Sequence, residues 1–117
     1  MGQYHYPVNL TKKQYLDPHK FGDGLKLREF GCSSHGTMTA LTYLLASSNG
    51  RGGGDFLRGS RAGSWAGDKI AIIGDYSEKN DIEGIDAQQI YGDLDDAYVD
   101  ISEAVKSEVP ECDREAF

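Results

Sequence analysis

Residues 49 to 63 read NGRGGGDFLRGSRAG, with six glycines and three arginines in fifteen positions. Glycine loses the most backbone freedom on ordering and brings no side chain to a core, so this stretch suits neither a packed helix nor a strand. It reads as a loop. With 117 residues in all, the chain suffices for one domain that buries roughly two thirds of its unfolded surface, and two independent cores would be hard to stabilise. Hydrophobic residues make up 38% and aromatics 10%, enough anchors for a packed core and too many for a disordered chain.

The first flank opens with a hairpin pattern. Tyr4, Tyr6, Val8 and Leu10 share one parity, then Thr11, Lys12 and Lys13 interrupt before Tyr15 and Leu16. Pro7 pushes that first strand toward an edge or a bulge. LKLREF, residues 25 to 30, reads as a short strand or one helical turn. Met38, Leu41, Leu44 and Leu45 recur at helical spacing and predict a helix from about Thr37 to Ser47, capped by Ser33 or Ser34 and ended by Asn49 and Gly50.

Beyond the glycine stretch, Ile70 to Ile73 form a continuous apolar run suited to a buried central strand, closed by Gly74, Asp75 and Ser77. The tail admits two readings. Leu94, Ala97, Tyr98, Ile101, Val105 and Val109 fit one stripe of a single acidic helix. Alternatively Tyr98 to Ile101 form a strand, and Asp100 with Glu103 starts a helix that runs to about Val109, before Pro110. The expectation is one α+β domain over residues 1–117: a mostly antiparallel sheet, with an N-terminal hairpin, against which two helices pack.

Charge divides the chain in two. Residues 1 to 69 carry nine Lys or Arg against five Asp or Glu, whereas residues 70 to 117 carry three against fourteen, and the whole is -7. Such a half is a solvated acidic face or a grip for a basic partner, and it disfavours direct binding of nucleic acid because phosphates would be repelled. No apolar run approaches a membrane span, and MGQYHYPVNL lacks the basic and apolar regions of a signal peptide, so a cytoplasmic protein without membrane partners is expected. Myristoylation at Gly2 is disfavoured because Tyr6 stands where Ser or Thr is needed. Cys32 and Cys112 read as two unpaired thiols.

Chemistry has few footholds. The glycines follow a helix and precede a strand, the reverse of a phosphate-binding P-loop, and no Lys-Ser or Lys-Thr closes the motif. Arg51, Arg58 and Arg61 still suit contact with phosphate or carboxylate. A second anion candidate is the helix start at Ser33, Ser34 and His35. Cys32, Ser33 or Ser34 beside His35 does not amount to a nucleophile and base, since neighbours in sequence do not face each other. His5, His19 and His35 match no metal spacing, and neither a metal nor a cofactor is indicated. Asp68 and Asp75 flank the Ile70 strand, where they serve either as acid and base or as turn caps.

The stretches Met1 to Tyr4, Val8 to Gly31 (including PHKFGDGLKL) and Ser64 to Tyr76 (SWAGDKI and GDY) cover about a third of the chain. Together they resemble a family of small prokaryotic and viral hypothetical proteins. The resemblance carries no catalytic residues; it implies an intracellular domain of mobile-element origin, a class in which small acidic proteins act as inhibitors of host nucleic-acid-handling complexes. Two functions follow. The first is a non-enzymatic inhibitor whose acidic residues Asp93, Asp95, Asp96, Asp100 and Glu103 engage a basic protein surface. The second is a small enzyme or receptor for a phosphate-bearing metabolite or nucleotide, using Arg51, Arg58 and Arg61 with Ser33 to His35. With no reactive constellation in the chain, the first is preferred.

Overall fold

The computed structural model describes residues 3–32, 36–47, 56 and 60–109. Along the chain these form β1 (His5–Asn9), β2 (Gln14–Tyr15), a 3-10 turn (Pro18–Phe21), α1 (Leu27–Gly31), α2 (Thr37–Leu45), β3 (Ile70–Gly74), α3 (Ala87–Ala97), β4 (Val99–Asp100) and α4 (Ser102–Glu108). The sheet order is β3-β1-β2-β4; β1 runs antiparallel to β2 and β3, and β2 runs parallel to β4. The α+β class is therefore as expected, with four α-helices where two were expected and a mixed sheet. None of the helices is long and apolar enough to cross a membrane, among the described residues.

The hairpin forms where the parity of Tyr6 and Val8 places it, with Val8 opposite Tyr15 and Asn9 opposite Gln14. Its strand β1 is nevertheless central, contrary to the edge position that Pro7 suggests. The hydrogen-bond pattern explains how. Pro7 accepts from Leu16 N–H on the β2 side, where β2 has just ended, so its missing donor falls outside the β3 ladder. Tyr6 and Val8 face β3 instead, opposite Ile73 and Ala71.

β3 is in turn an edge strand, which corrects the expectation of a buried central one. Ile73 and Gly74 are buried, but Ile70 is 36% and Ile72 44% exposed. An apolar run of this length indicates a strand without fixing its place in the sheet.

Two apolar cores lie on opposite faces. Val8 and Ile73 meet Ala87 and Leu94 of α3 on one side. Leu16, Trp65, four residues of α2, Ile101 and Val105 fill the other. In the tail a short strand and a separate helix form, as the second reading expected, but the cap position is Ile101, and Asp100 with Glu103 does not form the expected box. Asp100 accepts from Ser102 N–H, and β4 separates α3 from α4.

The ends of α2 are tied differently from the sequence expectation. At its start Asp23, fourteen positions upstream, accepts from both the N–H and the hydroxyl of Thr37 at 2.7 Å. Gly36 makes room for it, since a Cβ there would come within 2.4 Å of an Asp23 carboxylate oxygen. At its end, Tyr43 and Leu44 carbonyls accept from Gly63 and Trp65 N–H. The expected caps Ser33, Ser34, Asn49 and Gly50 lie outside the described residues.

One carboxylate joins α2, the segment after the glycine stretch, and α4. Glu108 accepts from Tyr43 Oη at 2.6 Å, from Arg61 N–H at 3.0 Å, from the Arg61 guanidinium at 3.0 Å and from Ser60 Oγ. Burial alone would raise its pKa, but these donors together hold it below the ordinary 4.5. A lowered carboxyl stabilises the fold above its unfolded pKa, and that contribution disappears as pH falls through the folded one. Glu108→Ala should cost about 2 kcal/mol in denaturant unfolding because Tyr43 and Arg61 lose their acceptor. Glu108→Gln should approach wild-type stability at acidic pH and fall behind it above the ordinary 4.5. Equal stability of Gln and Glu at neutral pH would contradict the role assigned to the charge.

Candidate functional site

The Val8 face of the sheet carries the most distinctive polar recess. Alternation puts Tyr6 and Val8 on the same face of β1, and the hairpin register adds Tyr15 of β2 beside them. Across from them, Tyr91, Leu94 and Asp95 stand at i, i+3 and i+4 on one side of α3. Asp17, between β2 and the 3-10 turn, completes a cleft of about 140 Å³ lined by Tyr6, Tyr15, Asp17, Tyr91, Leu94 and Asp95.

The rings have defined geometry. Tyr6 and Tyr15 are edge-on, 5.8 Å between centroids and 83° between planes, and Tyr91 stands 6.1 Å from Tyr6 at 51°. The surface the cleft offers is mostly polar, with the three tyrosines and two aspartates as its polar lining residues. Asp17 is held in place because its carboxylate caps the 3-10 turn at His19 N–H, while its own N–H donates to Ser102 Oγ at 2.6 Å. Asp95 is exposed, and none of the ion pairs among the described residues involves it. The lining contains two carboxylates and no Lys, Arg or His.

The phenols register that imbalance. Burial, followed by the charge of Asp17 and lesser contributions from Tyr91, Tyr15 and Asp95, pushes Tyr6 from the ordinary 10.0 to about 12. Tyr15 and Tyr91 are also raised, burial first and the neighbouring aspartates after it. Burial, the larger cause, disfavours charge of either sign, and the aspartates add a bias against negative charge.

The residues singled out from sequence are placed as follows. Asp93 accepts from the Gln89 side chain at 3.0 Å, and Asp95, Asp96 and Glu103 are exposed. Asp100 pairs with Lys20 at 2.7 Å, and Arg61 is engaged by Glu108. Asp68 accepts from Asn9 Nδ2 at 2.8 Å and from Lys12, and Asp75 accepts from Tyr4 N–H at 2.9 Å. These two aspartates tie turns to β1. At the described end of the second anion candidate, the Thr37 N–H already donates to Asp23. Ser33, Ser34, His35, Arg51 and Arg58 lie outside the described residues, as does Cys112, whereas Cys32 is an exposed free thiol. His5 Nδ1 is buried without a hydrogen-bond partner, and no group of three or more His, Cys, Asp or Glu that could hold a metal ion occurs among the described residues.

Sequence reasoning overlooked Tyr6, Tyr15, Tyr91 and Asp17 as site residues. The spacing of Tyr91, Leu94 and Asp95 was a legible signal, but the convergence of three elements on them was not. A second recess, apolar and about 340 Å³, lies between α2 and the open edge of β3, lined by Met38, Leu41, Leu45, Trp65, Ile70 and Ile72 among others.

Because the phenols keep their protons longer in the fold than in the unfolded chain, stability should decline as pH rises from 10.0 to about 12. Following phenolate absorbance, Tyr6 should ionise near the top of that window, and Asp17→Asn should bring it down. A Tyr6 that ionises with free tyrosine would contradict the environment described. Comparisons of the chain with protein-family models, with curated proteins and with solved structures found no match.

Proposed function

We propose that this chain is a non-enzymatic interaction domain that inhibits a nucleic-acid-handling or defence complex by seating a basic protein surface on the acidic side of α3. The observation that carries this reading is the Tyr6, Tyr15 and Tyr91 cleft with its two carboxylates and no cation of its own. Asp93, Asp95 and Asp96 follow one another along the same helix, and Glu103 adds an exposed charge on α4.

The ion pairs among the described residues lie away from Asp93, Asp95 and Asp96. Lys12 serves Asp68, Lys20 serves Asp100 and Arg61 serves Glu108. Asp100 thus orders β4 and the 3-10 turn, leaving partner contact to Asp93, Asp95, Asp96 and Glu103. With a formal charge of -7, the molecule would draw a basic partner by long-range attraction, most strongly at low salt where screening is weak. The competing reading, a phosphate-bearing ligand, finds less support: Arg61 is committed to Glu108, and the Thr37 N–H to Asp23.

An arginine-rich peptide should bind by calorimetry with an affinity that falls steeply as salt is raised. Reversing Asp96 and Glu103 to Lys should weaken it by about tenfold through lost steering and complementarity. Binding of duplex DNA or a nucleotide in place of the peptide, or indifference to both reversals, would overturn the reading.

A further inference from the structure

We infer that the cleft between α3 and the hairpin is a receptor for a single arginine side chain of the partner, a guanidinium held against the tyrosine rings and the two aspartates. The inference rests on the basic-partner reading and names the group that the cleft selects.

Size limits the occupant first. At about 140 Å³ the cleft is on the scale of one side-chain head group and the end of its stem, and the occupant proposed is one side chain reaching in from outside.

Chemistry then narrows it. Three tyrosines line the cleft, with ring centroids 5.8 and 6.1 Å from that of Tyr6, and a ring edge or face beside the opening adds attraction for a cation through its quadrupole. Two carboxylates and three phenol oxygens supply acceptors, against which the cleft's own residues place no cationic donor. A guanidinium carries five N–H donors in a plane, stacks on aromatic rings and is weakly hydrated, so it can satisfy several acceptors at a modest desolvation cost. The ammonium of lysine is a compact, strongly hydrated point charge and uses the ring faces less well. A trimethylated ammonium would use the rings and leave the acceptors without donors.

Position supports the same occupant. Asp17 is fixed by the turn it caps, so one acceptor is held before the ligand arrives. Asp95 sits on the outer turn of α3, exposed, where an entering guanidinium would meet it first. Leu94 closes the apolar side and is only 4% exposed.

Blocked arginine (N-acetyl-arginine amide), blocked lysine and tetramethylammonium would be titrated in turn while the tyrosine ring resonances are followed by NMR. Saturable shifts confined to Tyr6, Tyr15 and Tyr91 are expected, with arginine about fivefold or more tighter than the other two. Asp95→Asn should weaken arginine by a similar factor, and Glu83→Gln, at an exposed acid that does not line the cleft, should leave it within about twofold. Tyr91→Leu should abolish the ring shifts; if that variant loses its fold by circular dichroism, Asp95→Asn alone decides. Equal responses to lysine or tetramethylammonium would overturn the guanidinium assignment. If an arginine-rich peptide binds and the tyrosines do not move, the cleft is not the receptor, although the basic-partner reading survives. If neither the peptide nor any of the three cations binds, both fail.

Discussion

Trp65 is the side chain on which the rest of the molecule closes. It has no exposure, and it lies in the core shared by α2, Leu16, Ile101 and Val105. Its indole N–H donates to Gln14 of β2 at 2.8 Å, and its backbone N–H donates to the Leu44 carbonyl at the end of α2. A buried indole is stable only when its donor is satisfied, so this residue fixes the spacing of sheet and helix together. The approach to it is equally constrained. Gly63 takes a left-handed φ of 74°, and a Cβ there would come within 2.7 Å of the Ala46 carbonyl. The end of the glycine stretch is thereby locked to α2, and β3 begins seven residues after Gly63, beside β1.

The division of charge along the chain acquires a structural meaning in this arrangement. Two of the three ion pairs among the described residues, Lys20 with Asp100 and Arg61 with Glu108, join the basic N-terminal half to the acidic C-terminal half. Both acids lie at element ends, at β4 and at the last turn of α4, where they order the junctions of the tail. The acids of α3 are left over from this neutralisation. Of these, Asp95 faces the same side as the tyrosines because 3.6-residue periodicity places it one turn from Tyr91, and β alternation brings Tyr6 and Tyr15 up beneath it.

Much of the fold was legible because local rules and tertiary packing agree. The parity of Tyr6 and Val8 specified the hairpin, and the spacing of Met38, Leu41, Leu44 and Leu45 specified α2. Disagreement arose where a local feature permits two global positions. Pro7 was read as a mark of the edge, yet it stands in the central strand because β2 ends at the level of its missing donor. Ile70 to Ile73 was read as central because all four residues are apolar, yet among the described residues the strand pairs on one side only. The cap of α2 comes from Asp23, a distance of fourteen residues that no capping rule spans. The candidate cleft was the least legible feature of all. Tyr6 and Tyr15 were visible as members of the hairpin pattern, Tyr91 was part of no expected stripe, and only the register of β1 with β2 and the docking of α3 make them one site.

The most direct measurement is a crystal structure of the protein bound to an arginine-rich peptide. The expected result is one guanidinium in the cleft, stacked on Tyr6 or Tyr91 and hydrogen-bonded to Asp17 and Asp95. A peptide lying along the open edge of β3, or bound elsewhere with the cleft unfilled, would contradict the assignment of the cleft as the recognition site.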